Sequence, residues 1–247
     1  MNSCRWLVTG GAGFIGSNLV TSLAARGEGV RAFDNLVSGR WSNLDGVAGV
    51  ERVTADVRDA EAVERACAGV EVVFHEAALC SVPGSIEKPL EYDRVNVGGT
   101  ATVLEAARRA GVRRVVFATS AAVYGDDPRI PKMEGMAVAP KSPYALNKYV
   151  GERYLKLYSE MHGLQTVGLR YFNVFGPNQL PSGPYAAAIP RFLDAALRGR
   201  ELEIFGDGEQ TRDFCYIADV VRANVLAATV DRELLGEVMN KIGRAHV

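Results

Sequence analysis

Tyr144 and Lys148 are the two residues whose types and spacing most directly suggest chemistry. In a helix, residues four positions apart share a face, so the phenol and the ammonium would be neighbours. Ser142 and Pro143 precede them and favour the N-cap and the first position of a helix. A nearby ammonium favours a phenolate and lowers the pKa of a tyrosine from about 10, which would let Tyr144 exchange a proton with a hydroxyl group. An isolated pair of this kind is more often an ordinary feature of an amphipathic helix, so the surrounding sequence must decide.

The composition indicates a globular protein that binds small ligands. The 247 residues carry a net charge of −1 and are 48% hydrophobic, which suits one large domain or one domain with a smaller companion. No run of lysine and arginine occurs, so we expect no binding to nucleic acid or to a membrane surface. No apolar run approaches the roughly 18 residues of a membrane span, and the first residues enter a strand directly. We therefore expect a cytoplasmic protein.

The cysteines and histidines give no sign of a metal site. Cys4, Cys67, Cys80 and Cys215 are scattered without Cys-x-x-Cys pairs, and the three histidines do not cluster with them. We expect neither a disulfide framework nor a bound metal.

A glycine-rich turn joins the first predicted strand, residues 5–9, to a helical pattern. It reads Gly10-Gly11-Ala12-Gly13-Phe14-Ile15-Gly16. Such a turn lets the backbone approach a pyrophosphate, and the helix N-terminus supplies N–H donors. Asp34 ends the next apolar run, 30–33, and lies 18 residues after Gly16, near the spacing of an acid that holds an adenosine ribose. A carboxylate there repels a 2′-phosphate and therefore favours NAD over NADP. Arg40 is a possible partner for that phosphate and weakens this preference.

Apolar runs and helical patterns alternate and predict an α/β fold with a Rossmann-type, doubly wound parallel sheet. Further strands are predicted at 50–55, 70–75, 113–119 and 165–170, with helices such as 59–67 and 100–110 between them. In such sheets ligands bind beyond the carboxyl ends of the strands. This places five residues on the ligand side: Asp56, Ala77, Ala78, Thr119 and Ser120.

A loop and a compositional boundary follow the fifth predicted strand. Residues 125–140 contain three prolines and several charges and predict a loop over the site. After Asn173 the glycine and proline content rises. We therefore expect an NAD-binding domain at 1–172 and a smaller, incomplete substrate-binding region at 173–240, of which 214–240 packs back on the first domain.

Seven short blocks together resemble the extended short-chain dehydrogenase/reductase family, in particular its UDP-glucose and UDP-N-acetylglucosamine 4-epimerases. They read Thr9-Gly10-x-x-Gly13-x-x-Gly16, Asp34-Asn35-Leu36, Asp56-Val57, His75-Glu76-Ala77-Ala78, Asn96-Val97-Gly98-Gly99-Thr100, Ser120-Ala121-Ala122-Val123-Tyr124-Gly125 and Tyr144-x-x-x-Lys148. The resemblance extends from about residue 5 to about residue 240. It strengthens the catalytic interpretation of Tyr144.

The resemblance implies an acid/base set and an NAD site. Tyr144 would be the acid/base, Lys148 would hold the nicotinamide ribose and lower the pKa of the tyrosine, and Ser120 would bridge the sugar hydroxyl to Tyr144. A buried serine that satisfies backbone groups is the alternative for Ser120. Asn96 would have a structural role beside the cofactor. The implied cofactor-binding residues are Gly10, Gly13, Phe14, Ile15, Gly16, Asp34, Asn35, Asp56, Val57, Ala77, Ala78, Asn96, Tyr144 and Lys148.

The residues before Val123 separate the related activities. Sugar dehydratases of this family carry an Asp-Glu pair there, and nucleotide-glucuronate decarboxylases carry a glutamate at the second position. Here the two positions are Ala121 and Ala122. The resemblance therefore implies 4-epimerisation: Tyr144 takes the proton of the sugar 4-hydroxyl, hydride leaves C4 for NAD, and the 4-keto sugar receives it on the other face.

Blocks in the second region resemble those that bind a nucleotide sugar. Asn173 would contact the diphosphate, Ala188 and Ile189 belong to a segment, 185–192, that places backbone groups against uracil, and Arg212 would meet the nucleotide. A surface ion pair with Asp213 or a neighbouring glutamate is the alternative for Arg212. The residues of these blocks most resemble those of epimerases that act on UDP-N-acetylhexosamines.

The end of the chain departs from the family, whose members continue for several more elements. Residues 242–247 match the translation of a widely used sequencing adapter, so we expect 241–247 to be an artefact of a longer natural protein. The alternative is a genuine short C-terminus. A protein that stopped here would expose apolar surface, and we would expect weak NAD binding and little turnover.

Other functions remain open at this point. A dehydratase or reductase of the same family would release an oxidised or reduced sugar, and a non-catalytic NAD-binding fragment would turn nothing over. The resemblance also suggests a homodimer through the helices near 100–110 and 144–161.

Overall fold

The computed structural model describes residues 4–181, 187–202, 204 and 206–242, and strands and helices alternate along most of them. The strands are β1 (Cys4–Thr9), β2 (Gly29–Asp34), β3 (Val50–Thr54), β4 (Val72–His75), β5 (Arg114–Ser120), β6 (Gln165–Tyr171), β7 (Asn173–Phe175), β8 (Phe214–Tyr216) and β9 (Leu235–Lys241). Seven of them form a sheet in the order β3-β2-β1-β4-β5-β6-β9, in which every pairing is parallel. The predicted doubly wound parallel sheet is therefore confirmed. β7 and β8 form a separate parallel pair.

The helices cover both faces of the sheet. They are α1 (Phe14–Ala24), α2 (Ala60–Cys67), α3 (Val82–Glu87), α4 (Pro89–Tyr92), α5 (Gly99–Arg109), α6 (Pro143–His162), α7 (Ala188–Leu197) and α8 (Ile217–Thr229). Short 3₁₀ helices occur at Trp41–Leu44 and Ala121–Tyr124, and a π-helical segment, Asp93–Gly98, joins α4 to α5.

Alternate residues of each central strand face opposite layers of the core. In β1, Trp6 and Val8 pack with α1 and α8, whereas Leu7 packs with α2 and α5 on the other face. Strands buried on both faces read as nearly continuous apolar runs, which is why the sequence indicates them well. Where such a strand ends, the chain reaches the edge of the sheet and polar side chains become available for chemistry.

The helix predicted after Ser142 is confirmed as α6. The Ser142 hydroxyl accepts a hydrogen bond from the Ala145 amide at 3.2 Å, and Pro143 occupies the first helical position. Gly163 ends the helix in the left-handed region, at φ 67°, where a residue without a Cβ is favoured. These caps fix the first turn, and with it the position of Tyr144.

The segment after Tyr216 returns to the main sheet. α8 packs against α1, and β9 pairs with β6 at the sheet edge, although no strand is predicted there from the sequence. Lys241 is the last residue of β9, whereas 243–247 lie outside the described residues. The division at residue 172 and the origin of 241–247 stay predictions.

A buried arginine connects β5 to the end of α8. The Arg114 side chain is 1% exposed and donates to the carbonyl oxygens of Ala227, Val230 and Arg232 at 2.8, 3.1 and 2.6 Å. Carbonyls at the end of a helix lack intrahelical partners and carry partial negative charge, so a guanidinium stabilises them. This contact joins segments that are more than 110 residues apart in the chain.

Candidate active site

The glycine turn after β1 is tightly packed at three of its four glycines, Gly10, Gly11 and Gly16, and more open at Gly13. Gly10 has φ 68°, and a Cβ on it would lie 2.8 Å from the Ala77 amide nitrogen. A Cβ on Gly16 would collide with the Gly10 carbonyl oxygen. A Cβ on Gly13 would meet only that same oxygen, at 3.2 Å. Because Gly13 is the N-cap of α1 and has no side chain, the first amides of the helix, which include those of Phe14 and Ile15, face an open approach.

Asp34 lies at the end of β2, against this turn. Its buried carboxylate accepts hydrogen bonds from the backbone amides of Ala12 at 3.0 Å and Leu36 at 2.7 Å. A Cβ on Gly39 would come within 2.8 Å of both carboxylate oxygens. The Arg40 side chain is exposed, and its amide donates to the Ala12 carbonyl. Asp34 is thus fixed beside the turn, where the spacing predicts an acid.

Asn35 and Asp56 meet at the ends of β2 and β3. The Asn35 amide donates to the Asp56 carboxylate at 2.8 Å. The Arg58 guanidinium also donates to Asp56 at 2.8 Å, and this bond holds the pKa of Asp56 well below its usual range. Val57 is buried and packs closely against Gly99, the first residue of α5. Four predicted cofactor residues, including Asp34, therefore lie along one edge of the sheet.

Ser120 and Tyr144 are hydrogen-bonded to each other across β5 and α6. Ser120 is the last residue of β5, and its hydroxyl also accepts from the Ala122 amide at 3.2 Å. Tyr144 is 9% exposed. Burial raises the pKa of the phenol, and the hydrogen bond from Ser120 lowers it in part. The structure brings together the predicted acid/base and its bridging hydroxyl.

Lys148 is buried one helical turn after Tyr144. Its ammonium donates to the Ala118 carbonyl oxygen at 2.8 Å and lies 4.9 Å from the centre of the Phe117 ring. Burial lowers the pKa of Lys148 to about 8. Burial of the phenol is the largest effect on the pKa of Tyr144 and raises it, and the expectation that Lys148 lowers this pKa stays a prediction.

His75, at the end of β4, is buried and neutral. Its Nδ1 lies 2.8 Å from the Thr9 hydroxyl and its Nε2 lies 3.0 Å from the Thr100 hydroxyl. Thr100 donates its proton to the Asn96 carbonyl at 2.6 Å, so Nε2 of His75 must donate to Thr100 and Nδ1 must accept from Thr9. Burial, together with the charge of Lys148, lowers the pKa of His75 to about 3.

Asn96 orients the loop that follows β4. It lies on the π-helical segment, and its side-chain amide bonds both backbone groups of Leu79 at 2.9 Å. The Ala77 amide donates to the Thr9 hydroxyl at 3.3 Å, and Ala78 is half-buried in the same loop. Asn96 therefore has the structural role that the sequence analysis proposes, and π-helical segments are frequent beside functional sites.

Glu76 is a half-buried acid of this site to which the sequence analysis assigns no role. The Tyr171 hydroxyl donates to its carboxylate at 2.8 Å, and Asn224 donates to Tyr171 at 2.7 Å. Burial raises the pKa of Glu76 to about 7. The available sequence signal was a charged residue within an otherwise small and apolar block after a buried strand.

A buried ion pair beneath α6 was also missed. Arg170, near the end of β6, contacts the Glu152 carboxylate at 2.7 Å, and the two side chains are 5% and 4% exposed. Thr119 donates to Glu152 at 2.8 Å, and Arg170 donates to the Tyr124 hydroxyl at 2.7 Å. Tyr124 in turn donates to Asn240 of β9 at 2.7 Å. This network joins α6 to three neighbouring elements of the sheet.

The predicted substrate residues lie on exposed segments beyond the main sheet. Asn173 opens β7, and its side chain donates to the Asp213 carbonyl at 3.0 Å. Arg212 is exposed and donates to the neighbouring Thr211 carbonyl at 2.8 Å. Ala188 and Ile189 form the first turn of α7, which no side chain caps. Tyr185 and Ala186 of the same block lie outside the described residues.

The described residues offer neither a metal-binding cluster nor a membrane-spanning helix. No three His, Cys, Asp or Glu side chains among them come together as a group that could hold a metal ion. No helix among them is both long and apolar enough to cross a membrane. The cytoplasmic location and the absence of nucleic-acid binding stay predictions.

Comparison with known proteins gives consistent matches over almost the whole chain. The model of the NAD dependent epimerase/dehydratase family matches residues 6–241. UDP-glucose 4-epimerase of Mycolicibacterium smegmatis is 45% identical over 228 residues, which cover 90% of this chain and 72% of that protein.

Two solved structures are similar to this chain over most of its length. UDP-N-acetylglucosamine 4-epimerase from Methanobrevibacter ruminantium, in complex with UDP-N-acetylmuramic acid, has a TM-score of 0.92 and 41% identity over 98% of this chain and 77% of that one. UDP-glucose 4-epimerase from Thermotoga maritima, with UDP-glucose, has a TM-score of 0.90 and 39% identity over 96% of this chain and 76% of that one.

Proposed function

This chain belongs to the NAD dependent epimerase/dehydratase family, and from this premise we propose that it catalyses the 4-epimerisation of a UDP-sugar, of the UDP-glucose or UDP-N-acetylglucosamine type. One observation carries the proposal. Ser120 and Tyr144 are hydrogen-bonded at the carboxyl end of β5, with the buried ammonium of Lys148 one helical turn away. This is the arrangement that reversible proton exchange with a sugar hydroxyl requires.

The residues around the glycine turn fit NAD. The open approach at Gly13 and the amides of Phe14 and Ile15 suit a pyrophosphate. Asp34 offers a fixed carboxylate to an adenosine ribose, and its charge disfavours a 2′-phosphate. We propose that Asn35, Asp56, Val57, Ala77 and Ala78 line the same site. When bound, NAD accepts a hydride from the sugar and returns it.

Tyr144 would take the proton of the sugar 4-hydroxyl during oxidation and return it during reduction. Ser120 would hold the hydroxyl in line with the phenol through the hydrogen bond described above. Because burial raises the pKa of Tyr144, a positive charge beside the phenol is needed to favour its ionised form, and Lys148 is the cation of this site. One proton and one hydride leave and return in each turnover, so the protein ends in its starting state.

Ala121 and Ala122 favour epimerisation over the related reactions. They form the 3₁₀ turn after Ser120 and carry no acid or base. Elimination or decarboxylation in relatives uses a carboxylate there. A dehydratase or reductase is the second candidate. A dehydratase would release a sugar that has lost water, with its cofactor regenerated, and a reductase would release a reduced sugar with net consumption of reduced cofactor.

The test is conversion of UDP-glucose and UDP-N-acetylglucosamine, followed by NMR of the sugar C4 epimers. We expect conversion without steady accumulation of reduced-nicotinamide absorbance. Tyr144→Phe should lower kcat by roughly 10²–10⁴-fold, because it removes the acid/base group, and should retain NAD binding. Tyr158→Phe is the matched control, since it removes a half-buried phenol from the same helix.

Three outcomes would contradict the proposal. Steady accumulation of reduced cofactor would indicate a dehydrogenase that releases an oxidised sugar. Binding of NAD with no conversion of either sugar would indicate a non-catalytic protein. Equal losses of kcat in Tyr144→Phe and Tyr158→Phe would show that Tyr144 has no special role in catalysis.

We also propose a homodimer that forms through α5 and α6. α6 exposes Leu146, Leu157 and Met161, with half-buried Val150 and Tyr154 between them at helical spacing. Light scattering should give twice the chain mass. Glu substitutions at Leu157 and Met161 should yield a monomer, whereas Leu226→Glu, at an exposed position of α8, should leave the dimer intact. A wild-type monomer at micromolar concentration would contradict this.

A further inference from the structure

The buried ion pair of Glu152 and Arg170 lies on the same face of α6 as the proposed acid/base. Tyr144, Lys148 and Glu152 follow one another at intervals of four residues, so their side chains share one face of the helix. The pair is almost completely buried, at 5% and 4% exposure of the two side chains. A buried ion pair is often no more stabilising than well-packed apolar residues of similar size. Its contacts therefore have to show what else it does.

The pair holds the residue that comes directly before Ser120. The Thr119 hydroxyl donates to Oε1 of Glu152 at 2.8 Å. Arg170 donates to the same oxygen from Nε at 2.8 Å and to Oε2 from Nη2 at 2.7 Å. Thr119 and Arg170 are also paired in the register of β5 and β6. The carboxyl end of β5 is therefore tied to α6 one residue before Ser120.

The same arginine holds the turn that comes directly after Ser120. Nη1 of Arg170 donates to the Tyr124 hydroxyl at 2.7 Å, and the guanidinium lies 4.7 Å from the centre of the Tyr124 ring. Tyr124 is the last residue of the 3₁₀ turn that begins after Ser120, and it donates to Asn240 of β9 at 2.7 Å. Ser120 is thus held from both sides. Its own hydroxyl accepts from the Ala122 amide and can still donate its proton to a second group.

We propose that Glu152 and Arg170 are positioning residues that hold Ser120 in line for proton exchange. They act through its two neighbours, Thr119 and the turn that ends at Tyr124. This inference rests on the proposed function, because it assigns the proton exchange to Ser120 and the phenol of α6. A misplacement of about 1 Å in a reacting group can lower a rate by roughly 10²-fold. Loosening the network should therefore slow the chemical step and leave NAD binding unchanged.

The experiment is Thr119→Val, which keeps the shape of the side chain and removes its hydroxyl. The substitution breaks the direct link between Glu152 and the strand end, and it leaves the ion pair itself in place. We expect kcat for the UDP-sugar to fall about tenfold, a smaller loss than that of a reacting group. The affinity for NAD, measured by calorimetry, should not change. Thr119→Ser keeps the hydroxyl and should restore most of kcat.

Thr166→Val is the matched control. Thr166 is also buried, and its hydroxyl donates to the Leu155 carbonyl of α6 at 2.9 Å, so it too links a strand to this helix. It is the second residue of β6, whereas Ser120 pairs with the last residue of that strand. Both variants should therefore lower the midpoint of urea unfolding, but only Thr119→Val should lower kcat. Equal losses of kcat in the two variants would overturn the inference.

A double-mutant cycle with Ser120→Ala separates positioning from a general loss of structure. If Thr119 acts through Ser120, then Thr119→Val should lower kcat in the wild type and have little further effect in Ser120→Ala. Losses that add in the double variant would overturn the inference. Should Thr119→Val fold poorly, Tyr124→Phe takes its place in the cycle, because it keeps the ring beside Arg170 and removes only the hydroxyl.

Hydrogen exchange of the Ala122 amide gives a readout that does not depend on turnover. This amide donates to the Ser120 hydroxyl at 3.2 Å, so its protection reports whether that hydroxyl is held in place. We expect faster exchange in Thr119→Val and unchanged exchange in Thr166→Val. If this result is obtained but no sugar is epimerised, the proposed function fails and the positioning of Ser120 stands. Unchanged exchange in Thr119→Val would overturn the inference, whatever the rate of epimerisation.

Discussion

The buried acid/base site and the outer strand pair of β7 and β8 are built in opposite ways. In the first, Ser120, Tyr144, Lys148 and Glu76 lie at the ends of long strands or in a capped helix, and each has a hydrogen-bond partner inside the protein. In the second, two three-residue strands carry exposed side chains such as those of Asn173 and Phe214, and the exposed Arg212 lies just before β8. Proton chemistry needs groups held rigidly away from water, whereas recognition of a charged ligand needs donors that the ligand can reach.

The comparison is sharpest for two ion pairs with the same length. Arg170 and Glu152 are 2.7 Å apart in the core, and Arg198 and Asp194 are 2.7 Å apart on α7. The first arginine side chain is 5% exposed and the second is 66% exposed. Burial lowers the pKa of Arg170, but the hydrogen bonds to Glu152 and its charge raise this pKa by more, so the net shift is upward. Equal geometry therefore has very different energetic consequences.

Arg170→Met should have the largest effect on stability. It leaves the Glu152 carboxylate buried without its partner, and we expect a loss of about 3–5 kcal/mol in the free energy of unfolding, measured by urea denaturation. Arg198→Met should cost less than about 1 kcal/mol, because solvent screens the exposed pair. Similar losses in the two variants would remove the distinction drawn between the two regions.

The pH dependence of stability should come next in size. The folded-state pKa of His75, about 3, lies below its ordinary value of 6.5, so His75 contributes stability above pH 6.5 that is lost as the pH falls towards 3. By pH 5 we expect a loss of about 2 kcal/mol from this group. His75→Gln keeps one donor and one acceptor but cannot titrate. Its unfolding midpoint should therefore vary less between pH 7 and 5, and an unchanged slope would argue against this source.

Arg212→Gln should have the smallest effect on the fold and a selective effect on substrate binding. We expect KM for the UDP-sugar to rise roughly tenfold with kcat little changed, because a charged hydrogen bond is lost from the bound state only. The free energy of unfolding should be unchanged, since Arg212 is exposed. Arg222→Gln, on the exposed face of α8, is the control and should alter neither quantity. A fall in kcat without a change in KM would place Arg212 in the chemistry instead.

Much of the fold could be predicted because its determinants are local. Continuous apolar runs indicated β1 to β6, and Ser142 with Pro143 indicated the start of α6, which the caps in the structure confirm. The seven blocks indicated the family in the same way, since each is a short segment with its own residue types. In the structure, Ser120 and Tyr144 then meet because parallel strands end at one edge of the sheet.

What could not be predicted depends on contacts between distant segments. β9 is half-exposed along its seven residues, so its sequence lacks a continuous apolar run, and its place is set by pairing with β6. Glu152 and Arg170 look like surface residues in sequence, and only the packing of α6 on β6 buries them together. The rise in the pKa of Tyr144 could not be predicted for a related reason: the spacing to Lys148 is local, whereas the burial that raises this pKa comes from the whole core.

Arg114 also sets a condition on when the protein can complete its fold during synthesis. The carbonyls that satisfy this guanidinium belong to residues up to 118 positions later in the chain. At a translation rate of about 5–20 residues per second, they emerge from the ribosome roughly 6–24 s after Arg114. During that interval a fully buried Arg114 would lack these backbone carbonyl acceptors. Burial would then be costly, so β5 should stay open to solvent in the nascent chain. We therefore expect β5 to become protected from hydrogen exchange only after α8 has been translated.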